Sequence, residues 1–221
     1  VDIPTGRYSN RAMIPNQPFR PPAASARERL LEAGVKLIRL QGYSATSVGE
    51  LCREAGVTKG GFFHHFASKE ALGVALAEYW SSSTGTFFAA APFHHNPDPV
   101  ARVLGYIDLR IVLLSGPAES FSCVAGTMVQ EAFRTSTPIR AACEASIAGN
   151  AAALEADLAA AIAQTGAAGV TAAGLARHVQ AVIQGAFVLA KAHDGDDQAE
   201  IAREHLHHLR HYFELLFRDK R

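Results

Sequence analysis

The chain has 221 residues, 48% of them hydrophobic and 19% charged, with 21 Lys and Arg matched by 21 Asp and Glu. That balance suits a globular fold with a substantial core and excludes a collagen-like or disordered chain and a broad basic field. The three cysteines, Cys52, Cys123 and Cys143, show no Cys-x-x-Cys spacing, so neither a disulfide framework nor a zinc cluster is expected.

Residues 1–24 carry Pro4, Pro15, Pro18, Pro21 and Pro22, which forbid a continuous helix, with Arg7, Arg11 and Arg20 against Asp2 alone. An extended arm is expected, either a loose tail or a basic strand able to enter the minor groove of a duplex. It lacks the basic-then-apolar pattern of a signal peptide, and no apolar run in the chain reaches the roughly 18 residues of a membrane span, so a cytoplasmic protein without a membrane partner is expected. Ser25 and Glu28 then form a capping box that opens the first helix.

Ser47 and Glu50 repeat the same device, and Val48, Leu51, Cys52 and Ala55 give the helix that follows one apolar face. Gly56 suits the left-handed residue that ends it, Val57 plugs the corner, and Thr58 caps a second short helix whose later turn runs from Phe62 to Phe66. Ser68 caps the next. Two short helices joined by a glycine turn are the layout of a DNA-reading helix-turn-helix. Thr46, Ser47, Thr58, Lys59, Gly60, Gly61, Phe63, His64 and Lys69 are the expected DNA-contacting residues, since they cluster polar donors and bare backbone at successive helix starts. Gly60 and Gly61 cost helix stability, about 1 kcal/mol each against alanine, which suits a backbone that approaches a phosphate or base edge. The charge is divided accordingly, with ten Lys and Arg against seven Asp and Glu in residues 1–80 and eleven against fourteen in 81–221.

The string Gly-Val-Thr-Lys-Gly-Gly-Phe-Phe-His-His-Phe-Ala-Ser-Lys-Glu-Ala-Leu at 56–72 resembles the recognition region of the TetR (tetracycline repressor) family of transcriptional regulators. The resemblance extends upstream through Arg29-Leu30-Leu31-Glu32-Ala33-Gly34 and Leu37 to Tyr43, covering residues 25–80; beyond that it is architectural. Phe63 departs from it, standing where the family usually has a tyrosine whose hydroxyl reaches a phosphate. The resemblance implies an all-α fold of about nine helices and a repressor released from DNA by a small-molecule effector.

Helices are expected throughout the remainder, from Ser68 to Ala91, from Asp98 to Ser115, from Ser122 to Thr135, from Pro138 to Gln164, from Thr171 to His193, and from Asp196 or Asp197 onward. The division is thus an arm at 1–24, a helix-turn-helix domain at 25–69, and an effector-binding and dimerisation domain at 70–221. A single helix-turn-helix needs a two-fold partner to bind a palindromic operator in double-stranded DNA, so a homodimer is expected. Val182, Gly185, Ala186 and Leu189 in the penultimate helix and Leu206, Leu209 and Phe213 in the last are its candidate interface, burial within one subunit being the alternative.

Tyr106, Leu109, Phe121, Met128, Phe133, Ile147, Gln184 and Phe187 are the candidate ligand-binding residues, a composition that serves a small-molecule pocket or a plain core equally. An apolar or amphipathic effector is expected, because these helices lack the Lys and Arg cluster a polyanion needs. His205, His207, His208 and His211 share a helix without an acidic or cysteine cluster, and no nucleophile or acid-base pair stands out, so no metal, cofactor or enzymatic activity is expected. The competing class is a helical ligand- or metal-binding protein of this fold that does not read DNA.

Overall fold

The computed structural model describes residues 24–218; the arm expected at 1–24 lies outside them except for Ala24. Ten α-helices and one 3-10 turn make up the described residues, with no strand among them. They are α1 (Ala26–Gln41), α2 (Val48–Ala55), α3 (Lys59–His65), α4 (Lys69–Ala89), the 3-10 turn Pro92–His95, α5 (Pro99–Val112), α6 (Ala118–Phe121), α7 (Val124–Ala132), α8 (Thr137–Thr165), α9 (Ala172–Ala192) and α10 (Gln198–Leu216).

The starts follow from side chains that take the orphan N–H groups of each first turn. Ser25 and Ser47 form complete capping boxes with Glu28 and Glu50, and Thr58, Ser68, Asp98, Ser136 and Thr171 cap α3, α4, α5, α8 and α9. The expected count of nine falls short by α6, a single turn after Gly116-Pro117 whose N-cap makes no side-chain bond. Four residues are too few for an apolar period to announce.

Leu30, Leu31, Ile38, Leu51, Phe62, Leu72 and Leu76 are fully buried where α1 to α4 meet. Each such side chain contributes about 1.5–3 kcal/mol on burial. In the body, α8 packs against α4, α5, α7 and α9, and α10 closes over α5 and α9. Two glycines let the head and body approach: a Cβ on Gly34 would lie 2.7 Å from Leu76, and one on Gly73 would lie 2.8 Å from Ile139 of α8. Head and body therefore interlock along α4.

Candidate nucleic-acid interface and internal pocket

The reading head is built from local chemistry. Ser47 Oγ accepts the Glu50 N–H at 3.2 Å while the Glu50 carboxylate accepts the Ser47 N–H at 2.8 Å, and these bonds hold Glu50 below the usual carboxylate range. Gly56 ends α2 at φ 62°, ψ 40°, and Val57 N–H returns to the Cys52 carbonyl at 2.9 Å. Thr58 Oγ1 then accepts the Gly61 N–H at 3.1 Å, starting α3. Phe62 and Phe66 point into the core and fix the roll of α3, which leaves Thr58, Lys59, Gly60, Phe63 and His64 exposed. Phe63 is 56% exposed, its ring edge-on to Phe62. This is one face of one helix, with an N-terminus, a lysine and an imidazole able to meet phosphates and base edges.

Three expected contacts are placed differently. Thr46 is fully buried and its hydroxyl donates to the Gly42 carbonyl at 2.7 Å, so it holds the turn after α1 and is removed from the contact set. Gly61 answers to packing, because a Cβ there would come within 2.8 Å of Val57 Cγ1, whereas one on Gly60 would meet nothing closer than Thr58 Oγ1 at 3.9 Å. Lys69 is half-buried, donates to the Ser44 carbonyl at 3.2 Å and lies 4.4 Å above the Tyr43 ring. Burial lowers its pKa, against the opposing pull of Glu131 and Glu50. Its ammonium therefore braces the turn before α2. Ser47 is exposed but spends its oxygen on the cap.

Head and body are tied by residues that the sequence did not single out. Glu131 at the end of α7 accepts the backbone N–H of Tyr43 and of Ser44. Arg39 on α1 is only 8% exposed, lies 5.3 Å from the Trp80 ring, and its Nε has no partner among the described residues. Burial pushes it down to about 10, with Cys123 and Glu119 acting in the other direction. The available signal was a cation one helical turn beyond half-buried Val35 and next to buried Ile38, a pattern easily taken for a solvated face.

Two adjoining clefts open inside the body. One is lined by Ser122, Cys123, Gly126, Thr127, Gln130, Gln184, Phe187, Val188 and Lys191; the other by Trp80, Thr84, Arg110, Phe121, Cys123, Asn150, Gln180, Ile183, Gln184 and Phe187. Free space is about 10 Å³ and 20 Å³, room for little more than a water each. Cys123 caps α7, its Sγ accepting the Gly126 N–H at 3.3 Å, and Lys191 Nζ donates to Thr127 Oγ1 at 2.9 Å.

Of the expected ligand residues, Phe121, Gln184 and Phe187 line these clefts. Tyr106 is buried beside them and its hydroxyl accepts from Arg110 Nε at 2.9 Å. Met128 is wholly core and Phe133, 51% exposed at the end of α7, is on the surface; neither is in the lining of either cleft. Leu109 and Ile147 are half-buried outside both linings. A single basic group lines each cleft, Lys191 the first and Arg110 the second.

The expected interface divides in the same way. Leu206, Leu209, Phe213 and Ala186 are buried inside the protomer, because the apolar stripes of α9 and α10 face the body. Gly185 and Leu189 are exposed, Val182 is half-buried, and Val188, Tyr212 and Leu215 join them as large apolar side chains facing outward. Among the described residues no group of three or more His, Cys, Asp or Glu could hold a metal ion, and no helix is long and apolar enough to cross a membrane.

A three-helix head with an exposed reading helix, locked to a larger helical body that contains a cleft, is the architecture of a one-component transcriptional regulator. Comparison with known proteins agrees. Residues 30–76 match the family model for bacterial regulatory proteins of the tetR family, and residues 99–205 match that for the C-terminal domain of LmrA/YxaF-like transcriptional regulators. The chain belongs to the TetR family of transcriptional regulators.

Among its relatives, transcriptional regulator AcuR of Cereibacter sphaeroides is 27% identical over 124 residues, 53% of this chain and 57% of that protein. The HTH-type transcriptional repressor NemR of Escherichia coli K12 is 46% identical over 52 residues, 24% of this chain and 26% of that protein. The chain thus spans less than two thirds of the length of these curated relatives. The crystal structure of the reduced form of Escherichia coli NemR superposes with a TM-score of 0.68 at 25% identity, covering 84% of this chain and 97% of that one.

Proposed function

We propose that the protein is a homodimeric repressor whose paired α3 helices read a palindromic operator, and which releases DNA when a small molecule enters the clefts around Gln184 and Phe187. The exposed face of α3 carries this reading. Thr58, Lys59, Gly60, Phe63 and His64 lie together on it, while Phe62 and Phe66 anchor its other side in the core. Ser47 at the start of α2 and Lys69 at the start of α4 flank that face as phosphate-side positions, Lys69 acting mainly through its hold on Ser44.

Dimerisation is supported by the outer face of α9 and α10. Gly185 has open space at its Cβ position, Leu189 is 49% exposed, and Tyr212 stacks edge-on to His178 at 5.3 Å, so a second copy can approach closely over a flat apolar stripe. Coupling is supported by α7, which begins at the cleft with Cys123 and Gly126 and ends with Glu131 on the turn before α2. A ligand that repositions α7 shifts the spacing of the two heads, provided it binds one dimer state better than the other. The reading includes a cytoplasmic location and no catalytic step or cofactor.

A gel-shift with the DNA upstream of its own gene, combined with sedimentation, tests this directly. The expected result is a dimer that binds one palindromic segment with half-sites about 34 Å apart or a multiple of that. A monomer, or a protein with no preference for any segment, defeats the reading.

A further inference from the structure

The second cleft presents donors that have no acceptor. Arg110 uses Nε on the Tyr106 hydroxyl at 2.9 Å and lies 4.0 Å above the Phe88 ring, which fixes its plane. No carboxylate among the described residues pairs with it, although Arg102, Arg203 and Arg210 of the same body each have one. Its remaining four N–H bonds stay available. In the same lining, Gln180 is only 6% exposed and its Nε2 has no partner among the described residues. A buried amide donor without an acceptor costs about 1–3 kcal/mol, and a half-buried guanidinium without a counter-charge adds to that. Trp80, Phe121, Ile183 and Phe187 supply the apolar part of the wall, and Thr84, Asn150 and Gln184 its other polar groups.

We propose that Arg110 and Gln180 form an anchor for the carboxylate of a small amphipathic acid, whose short hydrocarbon or aromatic tail lies among Trp80, Phe121 and Phe187. The inference rests on the effector reading of this cleft and names the ligand class. A carboxylate presents two coplanar oxygens, one set matched by the guanidinium fork and one lone pair reaching the Gln180 amide, while a phosphate ester would bring more charge than one arginine neutralises. The present free space of about 20 Å³ means that the ligand enters by parting Phe121 and Phe187, whose centroids lie 5.7 Å apart. The Trp80 side of the cleft is backed by Arg39 of α1, so occupancy there is felt by the reading head.

The test is calorimetric titration of the full-length protein with butyrate and benzoate against butyramide and benzamide, which keep shape and lose charge. The acids should bind at least about tenfold more tightly than the amides, and Arg110→Met and Gln180→Leu should each remove at least about tenfold of the acid affinity. Gln180→Leu keeps volume and deletes the orphan amide, so its melting temperature should hold or rise and its loss of binding cannot be assigned to unfolding. Equal affinity for acids and amides, no heat from either acid at millimolar concentration, or undiminished acid affinity in both variants would overturn the proposal. A parallel gel-shift separates the two readings. Acid binding that depends on Arg110 without DNA release supports the anchor and defeats the effector reading alone.

Discussion

Ser44 donates its backbone N–H to Glu131 Oε2 at 2.7 Å, joining the turn before the first reading helix to the last turn of α7, 87 residues further along the chain. Tyr43 N–H donates to the other carboxylate oxygen at 3.0 Å. One side chain thereby clasps the turn before the helix-turn-helix to the body, beside the packing along α4.

Glu131→Ala is expected to weaken operator binding while leaving the body and the dimer intact, at a stability cost of about 1 kcal/mol, since the carboxylate is solvent-exposed. Burial raises the Glu131 pKa, but the Ser44 and Tyr43 N–H groups and Lys69 outweigh it and set the group below its ordinary value of 4.5. A depressed folded pKa gives stability that is present above the unfolded value and lost as pH falls through the folded one. The head should therefore loosen in acid below pH 4.5, and Glu131→Gln should flatten that dependence. Hydrogen exchange of the α2 and α3 amides across this range checks it; an acid response unchanged in the variant would count against the clasp.

On the reading face, Lys59→Ala and His64→Ala should each weaken operator binding without changing the melting temperature, as both side chains are exposed. Thr46→Val should do the reverse in origin, lowering stability by about 1 kcal/mol through loss of the bond to Gly42. Thermal melts beside gel-shifts distinguish them, and Thr46→Val that weakens DNA binding at full stability would restore Thr46 as a contact.

These contrasts show where local chemistry was enough and where it was not. Both capping boxes and the Gly56 corner lie within a few residues of their partners, and they stand in the structure as the sequence implies. Arg39 on Trp80, Glu131 on Ser44 and the cleft shared by Arg110 and Gln180 bring together segments 41 to 87 residues apart, and no periodicity carries that information. Apolar spacing told that α10 buries Leu206, Leu209 and Phe213, but an amphipathic stripe does not say whether its cover is the same chain or another.

Gly185→Leu is expected to break the dimer with little effect on the protomer, because nothing lies within 4 Å of the Cβ position. Leu209→Ala should instead cost the protomer about 2–5 kcal/mol, the usual loss for a buried leucine. Sedimentation and denaturant unfolding report the two effects separately. A Gly185→Leu protein that stays dimeric would move the interface off this face of α9.

The glycine pair of α3 gives opposite signs at adjacent positions. Gly61→Ala puts a methyl 2.8 Å from Val57 Cγ1 and 3.4 Å from Thr58 Oγ1, at the corner that sets the angle between α2 and α3, so it should destabilise the head by about 1–3 kcal/mol. At Gly60 the nearest atom is Thr58 Oγ1 at 3.9 Å, and alanine there should stabilise the head by up to about 1 kcal/mol through helix propensity. If α3 presents its first turn to DNA, that same methyl should weaken operator binding despite the gain, because it stands between the helix backbone and the phosphate or base edge. Amide exchange of α3 and operator affinity, measured on both variants, decide the matter. Gly60→Ala that stabilises the head and leaves operator affinity whole would place the first turn of α3 away from the duplex.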